Sequence, residues 1–175
     1  MNKKGDWIIT YTGKKFYALD PQPEDIDIKD IAHALSMTCR FGGHSSRFYS
    51  VCEHSILVES LCSQENKLAA LLHDASEAYI TDVPRPIKRG MPEYQIMENN
   101  IMLVIADKFE FQYPLSDEVE YIDHNIVATE ANELWDIELE WTKNLNKIPI
   151  HIKCWSPNTA KMIFMQRFKE LTYNV

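Results

Sequence analysis

The feature that most constrains this chain is a set of ionisable residues at positions that helical periodicity assigns to an apolar interior. His54 is followed three, four and seven places later by Leu57, Val58 and Leu61, which is one face of a helix. His73 and Asp74 come directly after Ala69-Ala70-Leu71-Leu72. Asp123 shares its face with Val119, Ile126 and Val127. A charge taken out of water without a partner is costly, so a fold that buries these groups has to bring them to one another or to a cation. The chain is therefore expected to make three separate helices converge on one point.

The rest of the pattern agrees with a helical protein. Trp7 to Ala18 is rich in β-branched and aromatic residues punctuated by Gly13, which predicts a short hairpin or extended segment. Pro21 and Pro23 interrupt the chain, Asp25 to Asp30 supplies acidic helix-start residues, and Ile31 to Leu35 reads as helix. Gly42 to Ser46 is a loop, and helices are predicted over Cys52 to Cys62 and Lys67 to Tyr79. Pro84, Pro86 and Gly90 mark a long loop. Long amphipathic helices follow over Glu93–Phe109 and Asp117–Trp135. Pro149 and Pro157 bracket an irregular stretch, and Asn158–Leu171 is a final helix. Five or six helices with little strand predict an all-α fold, and 175 residues suit one domain over 1–175.

Charge and cysteine usage narrow the function classes. A net charge of −8 argues against a sequence-tolerant coat on a nucleic-acid polymer, yet leaves room for a small anion in a local cationic pocket. Cys39, Cys52, Cys62 and Cys154 show no paired spacing and read as reduced thiols. Met1 to Trp7 lacks the apolar run of a signal peptide, and no stretch reaches the ~18 apolar residues of a membrane span. The expected location is the cytoplasm, or a host's cytoplasm for a phage-encoded chain.

Two imidazoles and two carboxylates form a mixed nitrogen and oxygen ligand set. Such a set suits Mn²⁺, Fe²⁺, Co²⁺, Ni²⁺ or Zn²⁺ better than Ca²⁺. Each piece alone is weak: a His-Asp dipeptide is common, His54 could be a hydrogen-bonded core histidine, and Asp123 could pair with an arginine. The order His54, His73-Asp74, Asp123, each on a helix, carries the weight. Around it, Arg40, Arg85 and Lys88 are candidate phosphate partners, arginine being suited to bidentate contact. His44, after two glycines, could approach a phosphate or sugar.

The order H…HD…D resembles the signature of HD-domain metal-dependent phosphohydrolases. Tyr49-Ser50-Val51-Cys52-Glu53-His54-Ser55 is similar to the first-histidine segment of the bacterial 5'-deoxynucleotidase branch. His73-Asp74-Ala75-Ser76-Glu77 and Thr81-Asp82-Val83-Pro84-Arg85-Pro86-Ile87-Lys88 are similar to that branch's His-Asp helix and following loop. The stretch from Tyr11 through Arg40-Phe41-Gly42-Gly43-His44 resembles phage and prophage members, including dATP triphosphohydrolases. The resemblance implies an HD-domain helical bundle with His54, His73, Asp74 and Asp123 as metal ligands. It implies Glu77 and Asp82 as acidic groups beside the scissile phosphate, and Arg40 and Lys88 as phosphate contacts. Phe41 stands where some relatives carry tryptophan.

The expected activity is hydrolysis of 2'-deoxynucleotides, with 5'-monophosphates or a broader deoxynucleotide range first. Release of triphosphate from dATP is the alternative, and a non-catalytic nucleotide sensor is a third reading. No Gly-Tyr-Pro run points to a signalling-dinucleotide phosphodiesterase. Relatives of this type form dimers or larger rings. The apolar excess of the Glu93–Phe109 helix (Ile96, Met97, Ile101, Leu103, Val104 and Ile105) fits a homo-oligomer.

Overall fold

The structure, a computed structural model, describes residues 3–135, 137 and 139–173. Two short strands, β1 (Ile8–Ile9) and β2 (Lys15–Phe16), pair antiparallel with Ile8 opposite Phe16. Gly13 sits in the connecting turn with φ +84°. Eight α-helices follow among the described residues: α1 (Ile28–Met37), α2 (Val51–Leu61), α3 (Lys67–Leu71), α4 (Glu77–Ile80), α5 (Arg85–Lys88), α6 (Pro92–Phe109), α7 (Asp117–Leu134) and α8 (Pro157–Tyr173). The all-α class is as the periodicity predicts.

The helix starts have visible causes. The Asp27 carboxylate accepts from the Lys29 amide at 3.0 Å, and the Ser50 hydroxyl accepts from the Glu53 amide at 3.1 Å. Each satisfies an amide that the first turn leaves without an intrahelical partner.

Helix α2 lies at the centre. Every residue from Val51 to Glu59 is buried, so it is enclosed on all sides rather than along one stripe. On one side Val51, Cys52 and Ile56 join a core with Ile31, Leu35, Leu71, Ile101, Ile105 and Phe164. On the other, Leu57 and Val58 join Tyr49, Val119, Ile122, Ile126 and Leu134. Helix α8 packs on α1, α2 and α3. A second tie runs from α2 to the approach of α8. The buried Glu53 carboxylate accepts from the amides of Lys153, Cys154 and Trp155 at 2.8, 2.9 and 2.6 Å.

Two expectations are corrected. The helix predicted over Lys67–Tyr79 is broken: α3 stops at Leu71, and Leu72 leaves helical geometry at φ −105°, ψ 7°. Short-range bonds from Ala75 N to Leu72 O and from Glu77 N to Asp74 O, each 3.0 Å, close a turn before α4 begins. The loop predicted after Pro84 contains the short helix α5, with Pro86 in its first turn, where a missing amide costs nothing. These two differences raise the helix count above the five or six expected. On α6, Ile101 and Ile105 are buried whereas Ile96 and Leu103 stay exposed on the outer face.

Candidate metal centre

His54 projects from the enclosed helix α2, His73 and Asp74 from the turn after α3, and Asp123 from the second turn of α7. The two Nε2 atoms of His54 and His73 face each other at 3.2 Å. Asp123 Oδ1 lies 3.1 Å from His54 Nε2 and 3.7 Å from His73 Nε2. Donor atoms of these three residues fall within 4.8 Å of one another. Asp74 borders the group, with Oδ2 at 3.2 Å from His73 Nε2 and 3.6 Å from His54 Nε2, and it also contacts Arg40 Nη1 at 3.4 Å. Helical phase explains the inward aim of His54 and Asp123; the break at Leu72 explains how two consecutive residues both reach the site.

The opposite nitrogens of the two rings fix how the facing ones are presented. His73 Nδ1 donates to the Ala70 carbonyl at 2.8 Å. His54 Nδ1 donates to Glu130 Oε1 at 2.6 Å. Both rings therefore turn Nε2 toward the same point, the arrangement a carboxylate or carbonyl behind a metal-binding histidine produces. Two imidazole nitrogens at 3.2 Å repel unless a proton or a cation lies between them. The donor set thus fits a divalent cation, and this His/His/Asp group could hold one.

The electrostatics describe the same cluster from the proton's side. Burial opposes a charge on His73, but Asp74 and Asp123 outweigh it and hold its pKa well above the ordinary value. Burial and Arg40 oppose a charge on His54, and Glu130 and Asp123 prevail there as well. Burial disfavours ionised Asp123 and Asp74, yet the two imidazoles hold both below the usual carboxylate range. Carboxylates and imidazoles thus pull each other toward their charged forms, so a cation arriving here competes with protons.

Glu130, which the sequence reading did not single out, is a second organising residue. It is fully buried, and its Oε1 also accepts from the Tyr49 hydroxyl at 2.7 Å. Its Oε2 meets Arg40 Nη2 at 3.3 Å. Burial works against its charge, but Arg40 and then His54 bring its pKa down to about 2. A signal existed: Glu130 lies seven residues after Asp123, on the same face of α7.

Arg40 sits in a tight turn where Phe41 (φ 57°), Gly42 (φ 61°) and Gly43 (φ 78°) are all left-handed. The turn is tethered to the end of α7 by Ser46 N to Leu134 O at 2.9 Å and by Arg47 Nη2 to Glu133 O at 3.1 Å. Arg40 Nε is buried and has no hydrogen-bond partner among the described residues, and the same holds for Glu77 Oε2. Glu77 is buried 3.7 Å from Lys88 Nζ. Burial first, then Asp74 and Asp82, push its carboxyl well above the ordinary range. Burial also raises Asp82, against the pull of the nearby Arg40. Asp82 follows Thr81, held at φ 67°, ψ 159°, a conformation costing a non-glycine residue about 1–3 kcal/mol. The Tyr94 hydroxyl donates to the Thr81 carbonyl at 2.6 Å and braces that turn.

A cleft of about 920 Å³ opens from His73, Asp74 and Asp123 between α5, α6 and α7. Arg85, Lys88 and Arg89 line it. Arg85 contacts Asp123 Oδ2 at 3.4 Å and His124 Nδ1 at 3.1 Å, and Lys88 is paired with Glu98 at 2.6 Å. Phe41 packs edge-on against Trp135, ring centroids 4.9 Å apart, as part of a wall rather than in the cleft. His44 is exposed and does not line the cleft. The structure therefore brings together His54, His73, Asp74, Asp123, Arg40, Glu77, Asp82, Lys88 and Arg85; the Phe41 ring packs against the Arg40 guanidinium, its centroid 5.2 Å away, and His44 stays exposed.

Fold and site together define an all-α protein with a buried histidine–carboxylate cluster able to hold a metal ion. No known family profile matches the chain. It is 40% identical over 175 residues to YfdR, an uncharacterized protein of Escherichia coli (strain K12), covering 95% of this chain and 96% of that one. The chain belongs to the YfdR family. It is also 43% identical over 97 residues to an uncharacterized protein of Rhodobacter capsulatus, half of each chain. No helix among the described residues is long and apolar enough to cross a membrane.

Proposed function

We propose that this protein is a metal-dependent phosphohydrolase acting on 2'-deoxynucleotides, with deoxynucleoside 5'-monophosphates as the first substrates. The observation that carries the reading is the convergence of His54 Nε2, His73 Nε2 and Asp123 beside a cleft whose lining carries Arg85, Lys88 and Arg89 as well as Glu98, Asp117 and Glu120. A divalent cation there would supply Lewis-acid polarisation of phosphorus and a more acidic water. Arg40 and Lys88 would hold the phosphoryl oxygens, and the unpartnered Arg40 N–H suits an anionic acceptor. Glu77, kept protonated by burial and by Asp74 and Asp82, would pass its proton to the leaving 5'-oxygen as the P–O bond breaks. Water attacks phosphorus as that bond breaks; its oxygen and one hydrogen stay on the phosphate, and the one proton it releases restores Glu77.

A second reading, release of triphosphate from dATP, draws on a specific observation. Arg85, Lys88 and Arg89 all line the cleft, and Arg89 has no ion pair among the described residues. A longer phosphate chain would use such a row of cations.

Product analysis tests both. The protein is supplied with Co²⁺, Mn²⁺ or Zn²⁺ and incubated with dAMP and with dATP beside Asp74→Ala and Asp123→Ala controls. Orthophosphate and deoxyadenosine from dAMP support the first reading. Triphosphate and deoxyadenosine from dATP support the second. Metal binding with no product from either substrate refutes both and leaves a nucleotide sensor.

A further inference from the structure

The cleft is chemically two-ended. One end holds the histidine–carboxylate cluster and Arg85. The other is built by α6, which turns Gln95, Glu98, Asn99 and Met102 to the cavity, spaced as one helical face. Tyr113 closes that end from the segment between α6 and α7.

The polar groups at this end are half-used in a consistent way. The Tyr113 hydroxyl donates to Asn99 Oδ1 at 2.9 Å, which fixes the ring and leaves Asn99 Nδ2 as a donor with no partner among the described residues. Gln95 Nε2 donates to the Lys88 carbonyl at 2.6 Å, which leaves Gln95 Oε1 as an acceptor. One free donor and one free acceptor thus stand a helical turn apart, beside a half-buried aromatic ring and above the buried Met102. Lys88 links the two ends: its carbonyl orients Gln95, while its ammonium pairs with Glu98 and Glu77.

We propose that this end of the cleft is a nucleobase subsite, with the base stacked on Tyr113 and its polar edge read by Gln95 Oε1 and Asn99 Nδ2. The ligand class follows from the chemistry. A nucleobase is a planar heteroaromatic ring with adjacent donor and acceptor groups on one edge, and it is joined to the phosphate that the opposite end suits. The subsite deepens the proposed phosphohydrolase reading and rests on it for the phosphate end.

Calorimetric titration of the full chain with deoxyadenosine, dAMP and deoxyribose 5-phosphate tests the subsite without requiring turnover. Stacking and edge contacts of this kind are worth roughly tenfold or more in affinity. Gln95→Leu and Tyr113→Ala should weaken deoxyadenosine and dAMP by about that factor and leave deoxyribose 5-phosphate unchanged. Gln95 is exposed, so its variant keeps the test valid should Tyr113→Ala fail to fold. Unaltered nucleoside affinity in both folded variants overturns the proposal, as does an equal loss of deoxyribose 5-phosphate, or no nucleoside binding by the wild type. Hydrolysis of dAMP with an unchanged KM in Gln95→Leu sinks the subsite and spares the hydrolase. Base-dependent binding without hydrolysis does the reverse.

Discussion

Replacing Glu130 by glutamine keeps the shape of the side chain and asks one question: does its charge set the state of His54? In the native protein Oε1 accepts from both the Tyr49 hydroxyl and His54 Nδ1, while Oε2 accepts from Arg40. An amide has one acceptor and one donor end. If its oxygen keeps the Oε1 place, its NH₂ group faces the Arg40 guanidinium, donor against donor. If it flips, its NH₂ group faces His54 Nδ1. That favours the imidazole tautomer with the proton on Nε2, the atom turned toward Asp123 and His73. In both orientations the negative charge behind His54 is gone, and in the second the tautomer is reversed as well, so the cluster holds a cation less well. Loss of a carboxylate behind a metal-binding histidine typically weakens affinity by about 10–100-fold, or ~1.4–2.8 kcal/mol. Stability should fall too, by up to about 3–5 kcal/mol for a broken buried pair, less whatever Asp74 retains of Arg40. Co²⁺ titration at neutral pH followed by calorimetry measures the first effect, and urea unfolding with chelator present measures the second. A folded Glu130→Gln variant with wild-type Co²⁺ affinity would refute the reasoning about the tautomer.

Three further outcomes are expected. Folding raises the Glu77 pKa, so the folded chain keeps a proton that the unfolded chain gives up near 4.5. The stability due to that proton is complete below this value and is lost as pH climbs through the raised folded pKa. Metal-free Glu77→Gln should therefore lose Tm less steeply than wild type above pH ~4.5, and parallel Tm profiles would contradict this. Phe164 is fully buried in the core shared by α1, α2 and α8, so Phe164→Ala should cost about 3–5 kcal/mol in urea unfolding; a loss under ~1 kcal/mol would mean the core closes over the cavity. Glu53→Ala strips a charged acceptor from three backbone amides and should cost at least ~3 kcal/mol. An unchanged denaturation midpoint would show that water replaces the carboxylate.

The helices and the central histidine–carboxylate set were legible because burial of a charge contradicts the apolar phase around it. His54 and Asp123 each break an otherwise hydrophobic face, and that contradiction is visible without coordinates. The break after Leu71 was not legible: Leu72, Ala75 and Ser76 are ordinary helix residues, and tertiary packing overrides their propensity. Helix α5 was hidden by prolines that punctuate a loop and a first helical turn equally well. Glu130 was overlooked because a glutamate on a long helix is ordinarily solvated. Its burial follows from partners 76 to 90 residues away, His54, Tyr49 and Arg40, which no local pattern reports. His44 carried only the proximity of two glycines, and the turn they make points it to solvent.

The positions of the candidate ligands along the chain also imply an order of assembly. His54, on α2, and His73, just past the end of α3, are 19 residues apart and those two helices pack on each other, whereas His54 and Asp123 are separated by 69. Closing the longer loop costs roughly 1 kcal/mol more entropy than closing the shorter, and its contacts arrive later because they are less local. The two imidazoles can therefore be brought near each other by an early α2–α3 hairpin. Docking of α7 then delivers Asp123 and Glu130 together, on one rigid rod. The step that adds the Asp123 carboxylate is thus the same step that orients His54, and a chain arrested before it has the histidines and Asp74 in place but no finished site.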